Sequence, residues 1–66
     1  MPNFEKFMEG CSFDFEPKGD KTQVVAIFSQ GFLRDYPTEF VESNPDLVKA
    51  LVAHDLYDYM RENNYV

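Results

Sequence analysis

No proline or glycine interrupts the residues from Asp46 to Asn63, and this uninterrupted run constrains the fold more than any other feature of the sequence. Asn44 and Pro45 precede it, as expected for a helix N-cap followed by proline at the first helical position. Asp46 near the start and Arg61 near the end carry the charges that the helix dipole favours there. The run therefore predicts an α-helix of ~18 residues and ~27 Å, which is long for a chain of 66 residues.

Apolar side chains cover most of the circumference of this predicted helix. At ~100° per residue they occupy an arc of about 220°, whereas an ordinary surface helix needs a stripe of ~100°. One face of a small sheet cannot cover so wide an arc. We expect residues 32–41, a second copy of the chain or a partner protein to cover the rest. The apolar residues that define the arc are Leu47, Val48, Leu51, Val52, Leu56, Tyr59 and Met60.

Asp55 falls inside this arc, where an unpaired buried carboxylate would be costly and would tend to take up a proton. We expect it at the edge of the core, reaching water or accepting a hydrogen bond from a tyrosine hydroxyl or from Arg34. The functional alternative is an interface acid that pairs with a basic residue of a partner, and a catalytic carboxylate is the least favoured reading. Of the two nearby tyrosines, we expect Tyr59 in the core and Tyr57 at the surface.

The residues before this helix predict two or three strands. Residues 11–16 alternate in hydropathy, with the cysteine and two phenylalanines on one face. Residues 17–21 form a turn, and residues 22–29 are a β-branched, apolar strand that we expect to be covered on both faces. Residues 32–36 are a third strand or an extended loop, since Pro37 biases Tyr36 away from helix. Residues 38–43 favour a helical turn over a short strand.

A short N-terminal helix is predicted by the spacing of Phe4, Phe7, Met8 and Cys11, with Asn3 as its cap and Gly10 at its end. The expected fold is therefore α+β. It consists of a small antiparallel β-hairpin or three-stranded sheet that packs against a long C-terminal helix, with the short N-terminal helix added. We expect residues 1–66 to form a single domain.

A domain this small is close to the lower limit for folding alone, and such domains often add disulfides, a metal or a second subunit. Cys11 is the single cysteine, so an internal disulfide is impossible. We expect a reducing, cytoplasmic location. Self-association is the remaining support, which makes a homodimer the alternative to a monomeric interaction protein.

The acidic balance narrows the choice of partner. The chain has 12 acidic and 6 basic side chains and a formal net charge of −6. This charge repels phosphate backbones and anionic lipids, so we expect no direct nucleic-acid binding and no membrane binding. The longest apolar run, residues 24–28, is far shorter than the ~20 residues of a membrane span. A protein with a basic face is the favoured partner, and the plain alternative is that acidity only aids solubility.

The sequence contains no convincing catalytic or metal-binding set. Cys11 and His54, with Asp58 as an orienting group, are the nearest approach to a nucleophile and base, but they lack an oxyanion site. We expect a buried, inert thiol and an exposed His54–Asp58 pair. One cysteine and one histidine exclude a structural zinc site within one chain. We therefore expect no enzyme activity and no cofactor.

The function expected from the sequence is protein binding. The chain would act as a small acidic inhibitor or modulator, of the kind that viruses and mobile elements encode, or alternatively as a homo-oligomeric assembly subunit. Acids near the start of the helix could present carboxylates to a nucleic-acid-binding groove of the partner. The candidate partner-binding residues are Glu39, Glu42, Asp46, Leu51, His54, Asp55, Tyr57, Asp58 and Glu62.

Overall fold

A computed structural model describes residues 3–63, so the predicted domain limits at residues 1 and 66 lie outside the described residues. Three strands form one antiparallel sheet and neighbour one another in chain order. The prediction of an α+β fold, with a short N-terminal helix and a long C-terminal helix packed on the sheet, is confirmed. In chain order the elements are α1 (Phe4–Gly10), β1 (Ser12–Lys18), β2 (Lys21–Ile27), β3 (Gly31–Pro37), α2 (Thr38–Ser43) and α3 (Pro45–Glu62).

The core lies between the sheet and α3. Fully buried side chains alternate along β2 at Val24 and Ala26, and α3 covers them. Burying a valine such as Val24 contributes roughly 1.5–3 kcal/mol. The core consists of Phe7, Val24, Ala26, Val41, Val48, Val52, Leu56 and Met60.

The other face of the sheet is open to solvent. Ile27 is 45% exposed and Leu33 is 48% exposed. The prediction that β2 is covered on both faces is therefore wrong. The core residues that the helices contribute all pack against the opposite face, and an antiparallel sheet can leave one face in water.

The turn between β1 and β2 is tighter than predicted. It contains only two residues, Gly19 and Asp20, because Pro17 and Lys18 continue β1. Gly19 has φ 70°, and both turn types that suit two-residue hairpins need a positive φ at this first central position.

Thr38 fastens the start of α2 to this turn. Its backbone N–H donates to the Asp20 carbonyl at 2.8 Å, and its hydroxyl donates to the Gly19 carbonyl at 2.9 Å. The Thr38 hydroxyl proton is thereby used, so the hydroxyl of Thr22 donates to Thr38 Oγ1 across 2.9 Å. Thr22 is only 2% exposed, and this bond satisfies it.

The residues predicted at the helix ends are confirmed in one case and have a different role in two others. Asn3 caps α1 as predicted, since its side chain accepts from the Lys6 N–H at 3.0 Å. Gly10 is the last residue of α1, but its role is close packing: an added Cβ would lie 2.7 Å from a ring carbon of Phe28. Asn44 occupies the N-cap position of α3, yet its side chain does not cap this helix. It donates instead to the Phe40 carbonyl of α2 at 3.4 Å.

Candidate functional site

A row of apolar side chains on α3 remains in contact with solvent. Leu47 is 49% exposed, Leu51 is 39% exposed and Tyr59 is 37% exposed. Together with Asp55 these residues follow a four-residue step, which places them side by side along the helix. We call Leu47, Leu51, Asp55 and Tyr59 the α3 ridge. The expectation that α3 has more apolar surface than the sheet covers is confirmed.

Residues 32–41 cover only part of this surplus. They form β3 and the start of α2, and both elements pack against α3. Val41 is buried in the core, while the ring of Phe32 lies 5.8 Å from the ring of Tyr59. The first of the three expected covers therefore exists, but Leu47 and Leu51 stay partly exposed. Whether a second copy or a partner covers them stays a prediction.

Asp55 lies at the edge of the core and reaches water, as its structural interpretation predicted. Its Oδ2 is 3.5 Å from Nε of Arg34, and the two side chains are 43% and 50% exposed. The guanidinium also lies 4.3 Å from the ring centroid of Phe32. An ion pair this exposed contributes at most about 1 kcal/mol. Asp55 is therefore held in place on the ridge without being essential to the core.

The phenol of Tyr36 adds a neutral polar group to this part of the surface. Burial raises the pKa of Tyr36, and the negative charge of Asp55 raises it further, while Arg34 opposes the shift. The hydroxyl therefore keeps its proton throughout the neutral pH range. Arg34 and Tyr36 therefore place one cation and one neutral donor beside Asp55, the anion of the α3 ridge.

A second row of polar side chains runs along α3 next to the ridge. His54, Asp58 and Glu62 are spaced four residues apart, and each follows a residue of the α3 ridge by three positions. His54 Nδ1 lies 3.3 Å from Asp58 Oδ2, with the side chains 61% and 49% exposed, which confirms the predicted surface pair. Asp58 and Glu62, with Arg61, line a shallow depression of about 320 Å³.

The prediction of Tyr59 in the core and Tyr57 at the surface is wrong, because Tyr59 is exposed and Tyr57 is half-buried against the core. Tyr59 is exposed on the ridge, whereas the ring of Tyr57 packs 5.1 Å from Phe7 and 5.6 Å from Phe4. The reason is that α1 lies against the Tyr57 side of α3, and the sequence gives no sign of where α1 docks. Tyr57 therefore belongs to the contact between α1 and α3 and lies apart from the ridge.

The structure brings together five of the nine predicted partner-binding residues. At ~100° per residue, they fall within one ~100° arc of α3. Glu39, Glu42 and Asp46 are exposed around the junction of α2 and α3, at the opposite end of the helix from Glu62. Sequence reasoning left Leu47 out of the site, although its spacing of four residues from Leu51 was the available signal. The five grouped residues are Leu51, His54, Asp55, Asp58 and Glu62.

The surroundings of Cys11 make its thiol less reactive than an ordinary one. Cys11 is half-buried, and burial raises the pKa of its thiol, whereas a nucleophilic cysteine needs a lowered pKa. Within residues 3–63, no group of three or more histidine, cysteine or acidic side chains is placed to hold a metal ion. In the same part of the chain, no helix is both long and apolar enough to cross a membrane.

Comparison with known proteins finds no matching family model, no matching curated protein and no matching solved structure. The surface of α3 and the charge around it are therefore the features that indicate a function.

Proposed function

We propose that this chain is a non-enzymatic docking protein that binds a larger protein through the α3 ridge. The observation that carries the proposal is the exposure of Leu47, Leu51 and Tyr59 beside a row of carboxylates. Protein interfaces commonly have an apolar centre and a polar rim, with tyrosine enriched. Leu51 and Tyr59 supply the centre, and Asp58 and Glu62 supply the rim.

The charge of the chain indicates the chemistry of the partner. A net charge of −6 and the carboxylates of Asp58 and Glu62 next to the ridge favour a basic protein surface. Glu39, Glu42 and Asp46 extend the negative surface at the other end of α3. A nucleic-acid-binding face is one surface of this kind, and occupying it would make the chain an inhibitor or modulator. The single cysteine is consistent with action in a reducing, cytoplasmic compartment.

A homodimer formed through the same ridge is the second candidate, supported by the small size of the domain. In a two-fold dimer the same patch of both copies forms the interface. Each copy would bring Asp55, Asp58 and Glu62 to the same interface, which would concentrate like charges there. This repulsion favours a basic partner over a second copy.

The test begins with sedimentation equilibrium of the free protein and then isolates its partner from the cells that encode it. The captured protein is purified, and its affinity for the chain is measured by calorimetry. Leu51→Glu is compared with Leu33→Glu, a matched change on the open face of the sheet, where Leu33 is similarly exposed. We expect Leu51→Glu to weaken binding by about tenfold or more, Leu33→Glu to leave it unchanged, and added salt to weaken it.

Three results would contradict the proposal. The first is equal binding by the Leu51→Glu variant and the unaltered protein. The second is a captured protein whose affinity does not respond to salt. The third is a stable dimer that dissociates when Leu51 is changed, which would favour the assembly subunit.

A further inference from the structure

No strand within residues 3–63 pairs with the outer edge of β1, so this edge has backbone groups available for pairing. Hydrogen bonds from Thr38 N–H to Asp20 and from Phe28 N–H to Gln30 extend the β2–β3 ladder at its two ends. In an antiparallel ladder, pairs of residues that are hydrogen-bonded alternate with pairs that are not. The backbone groups of the even-numbered β2 residues therefore bond to β3, and those of the odd-numbered β2 residues bond to β1. Given the register of β1 with β2, the backbone groups of Phe13 and Phe15 point away from the sheet.

The two prolines of the sheet agree with this assignment. Pro17 pairs with Thr22, and Pro37 pairs with Lys21. Neither proline has an N–H, and by the same alternation both fall at positions that face away from β2. The free edge of β1 therefore offers the N–H and carbonyl groups of Phe13 and Phe15, and it ends at Pro17.

A groove runs beside this edge on the inner face of the sheet. The half-buried rings of Phe13 and Phe15 line it together with Pro45 and Lys49, and its volume is about 380 Å³. The Lys49 ammonium lies 5.9 and 6.0 Å from the two ring centroids. The groove therefore suits apolar side chains, and Lys49 disfavours a second cation there.

The outer face of β1 has the opposite character. Asp14 and Glu16 alternate with the two phenylalanines and are exposed. If a second copy paired with this edge about a two-fold axis at Asp14, the two Asp14 side chains would lie opposite each other. An axis at Phe15 would place Asp14 opposite Glu16. Like charges directly opposite destabilise a strand pair, so these acids oppose self-pairing.

We propose that the β1 edge is a second docking site, which takes an extended segment of a partner protein in which basic and apolar residues alternate. The segment adds as a fourth strand, as in other cases of β-strand addition. Its basic side chains face Asp14 and Glu16, and its apolar side chains enter the groove beside Phe13 and Phe15. The site is independent of the α3 ridge, which lies on the β3 side of the molecule, where Arg34 meets Asp55.

The probe is a blocked synthetic peptide of about eight residues in which lysine and valine alternate, long enough to cover the edge. A peptide in which glutamate and valine alternate is the control. Amide hydrogen exchange of the intact protein is followed by NMR. We expect the lysine–valine peptide to slow exchange at Phe13 and Phe15 by about tenfold or more, because their amides become hydrogen-bonded. The glutamate–valine peptide should leave these amides unchanged.

A pair of charge-matched variants isolates the role of the two acids. In the double variant Asp14→Lys, Glu16→Lys, the lysine–valine peptide should no longer slow amide exchange at Phe13 and Phe15. The glutamate–valine peptide should slow it instead. Glu5→Lys with Glu9→Lys, on the exposed side of α1, changes the net charge equally and should retain the original response.

Unaltered exchange at Phe13 and Phe15 in the unmodified protein would overturn the proposal without any variant. So would protection that appears instead at Leu33 and Asp35, since it would place the added strand on β3. An equal loss of response in both variants would show that net charge alone attracts the peptide.

Discussion

Leu56 and Leu51 lie on the same helix, and replacing each with alanine separates the core side of α3 from its ridge. Leu56 is fully buried and Leu51 is 39% exposed. The two substitutions make the same chemical change and have the same effect on helix propensity. A difference in stability between the variants therefore reports the difference in surroundings.

The expected magnitudes follow from burial. Leu56→Ala removes a side chain that has no contact with water and leaves a cavity, which costs about 2–5 kcal/mol. Leu51→Ala removes atoms that are partly solvated in the folded state and leaves no cavity, so we expect a loss of about 1 kcal/mol. In a domain of this size 1 kcal/mol shifts the melting temperature by about 4–8 °C. Leu56→Ala should therefore lower it by at least about twice as much as Leu51→Ala.

Thermal unfolding followed by circular dichroism at two protein concentrations measures both effects. Equal destabilisation by the two substitutions would refute the assignment of Leu51 to a free surface. If the loss at Leu51 instead became smaller as the protein was diluted, a second copy would be covering the ridge, because a dimer stabilises the unaltered protein most at high concentration.

Three further substitutions or measurements test individual contacts. Asp55→Ala should change the free energy of unfolding by less than about 1 kcal/mol, because its ion pair with Arg34 is half exposed; a fall of more than about 8 °C in the melting temperature would assign Asp55 to the core. Gly10→Ala should destabilise the protein by about 1–3 kcal/mol, since the added methyl group would lie 2.7 Å from the Phe28 ring; a higher melting temperature would contradict this. Burial raises the pKa of Cys11 above its ordinary value of 9.0, so alkylation by iodoacetamide should reach half its maximal rate at higher pH in the folded protein than in urea. Identical alkylation profiles would show that the thiol is solvated. Because the folded state holds the thiol proton more tightly, the contribution of Cys11 to stability is complete below the unfolded pKa and is lost as the pH rises through the folded pKa.

Local sequence signals were sufficient for most of the elements. The absence of proline and glycine after Pro45 predicted α3 almost to the residue, and alternation predicted β1. The sequence allows either a third strand or an extended loop at residues 32–36, and it favours a helical turn over a short strand at Thr38–Ser43. The structure contains both the strand and the helix. Helices, strands and turns such as these are determined mainly by residues close together in the sequence, so the local pattern is enough to predict them.

The errors concern contacts between distant parts of the chain. β2 has a β-branched, apolar sequence, and nothing in it shows that all the helices pack on one face and leave Ile27 exposed. The burial of Tyr57 depends on Phe4 and Phe7, which lie some fifty positions earlier in the sequence. The periodicity of α3 located the ridge approximately, but only the docking of α1 and β3 decided which side of the apolar arc stayed in water.

The attachment of Thr38 to Gly19 and Asp20 has a consequence for where the sheet can move. A hairpin tip is ordinarily the most mobile part of a small sheet, yet here the start of another element holds it through two hydrogen bonds. The opposite end, around Ser29 and Gly31, has no comparable tie to a helix N-terminus among residues 3–63. Backbone order parameters should therefore be higher at Asp20 than at Ser29, and the sheet should flex about its pinned end.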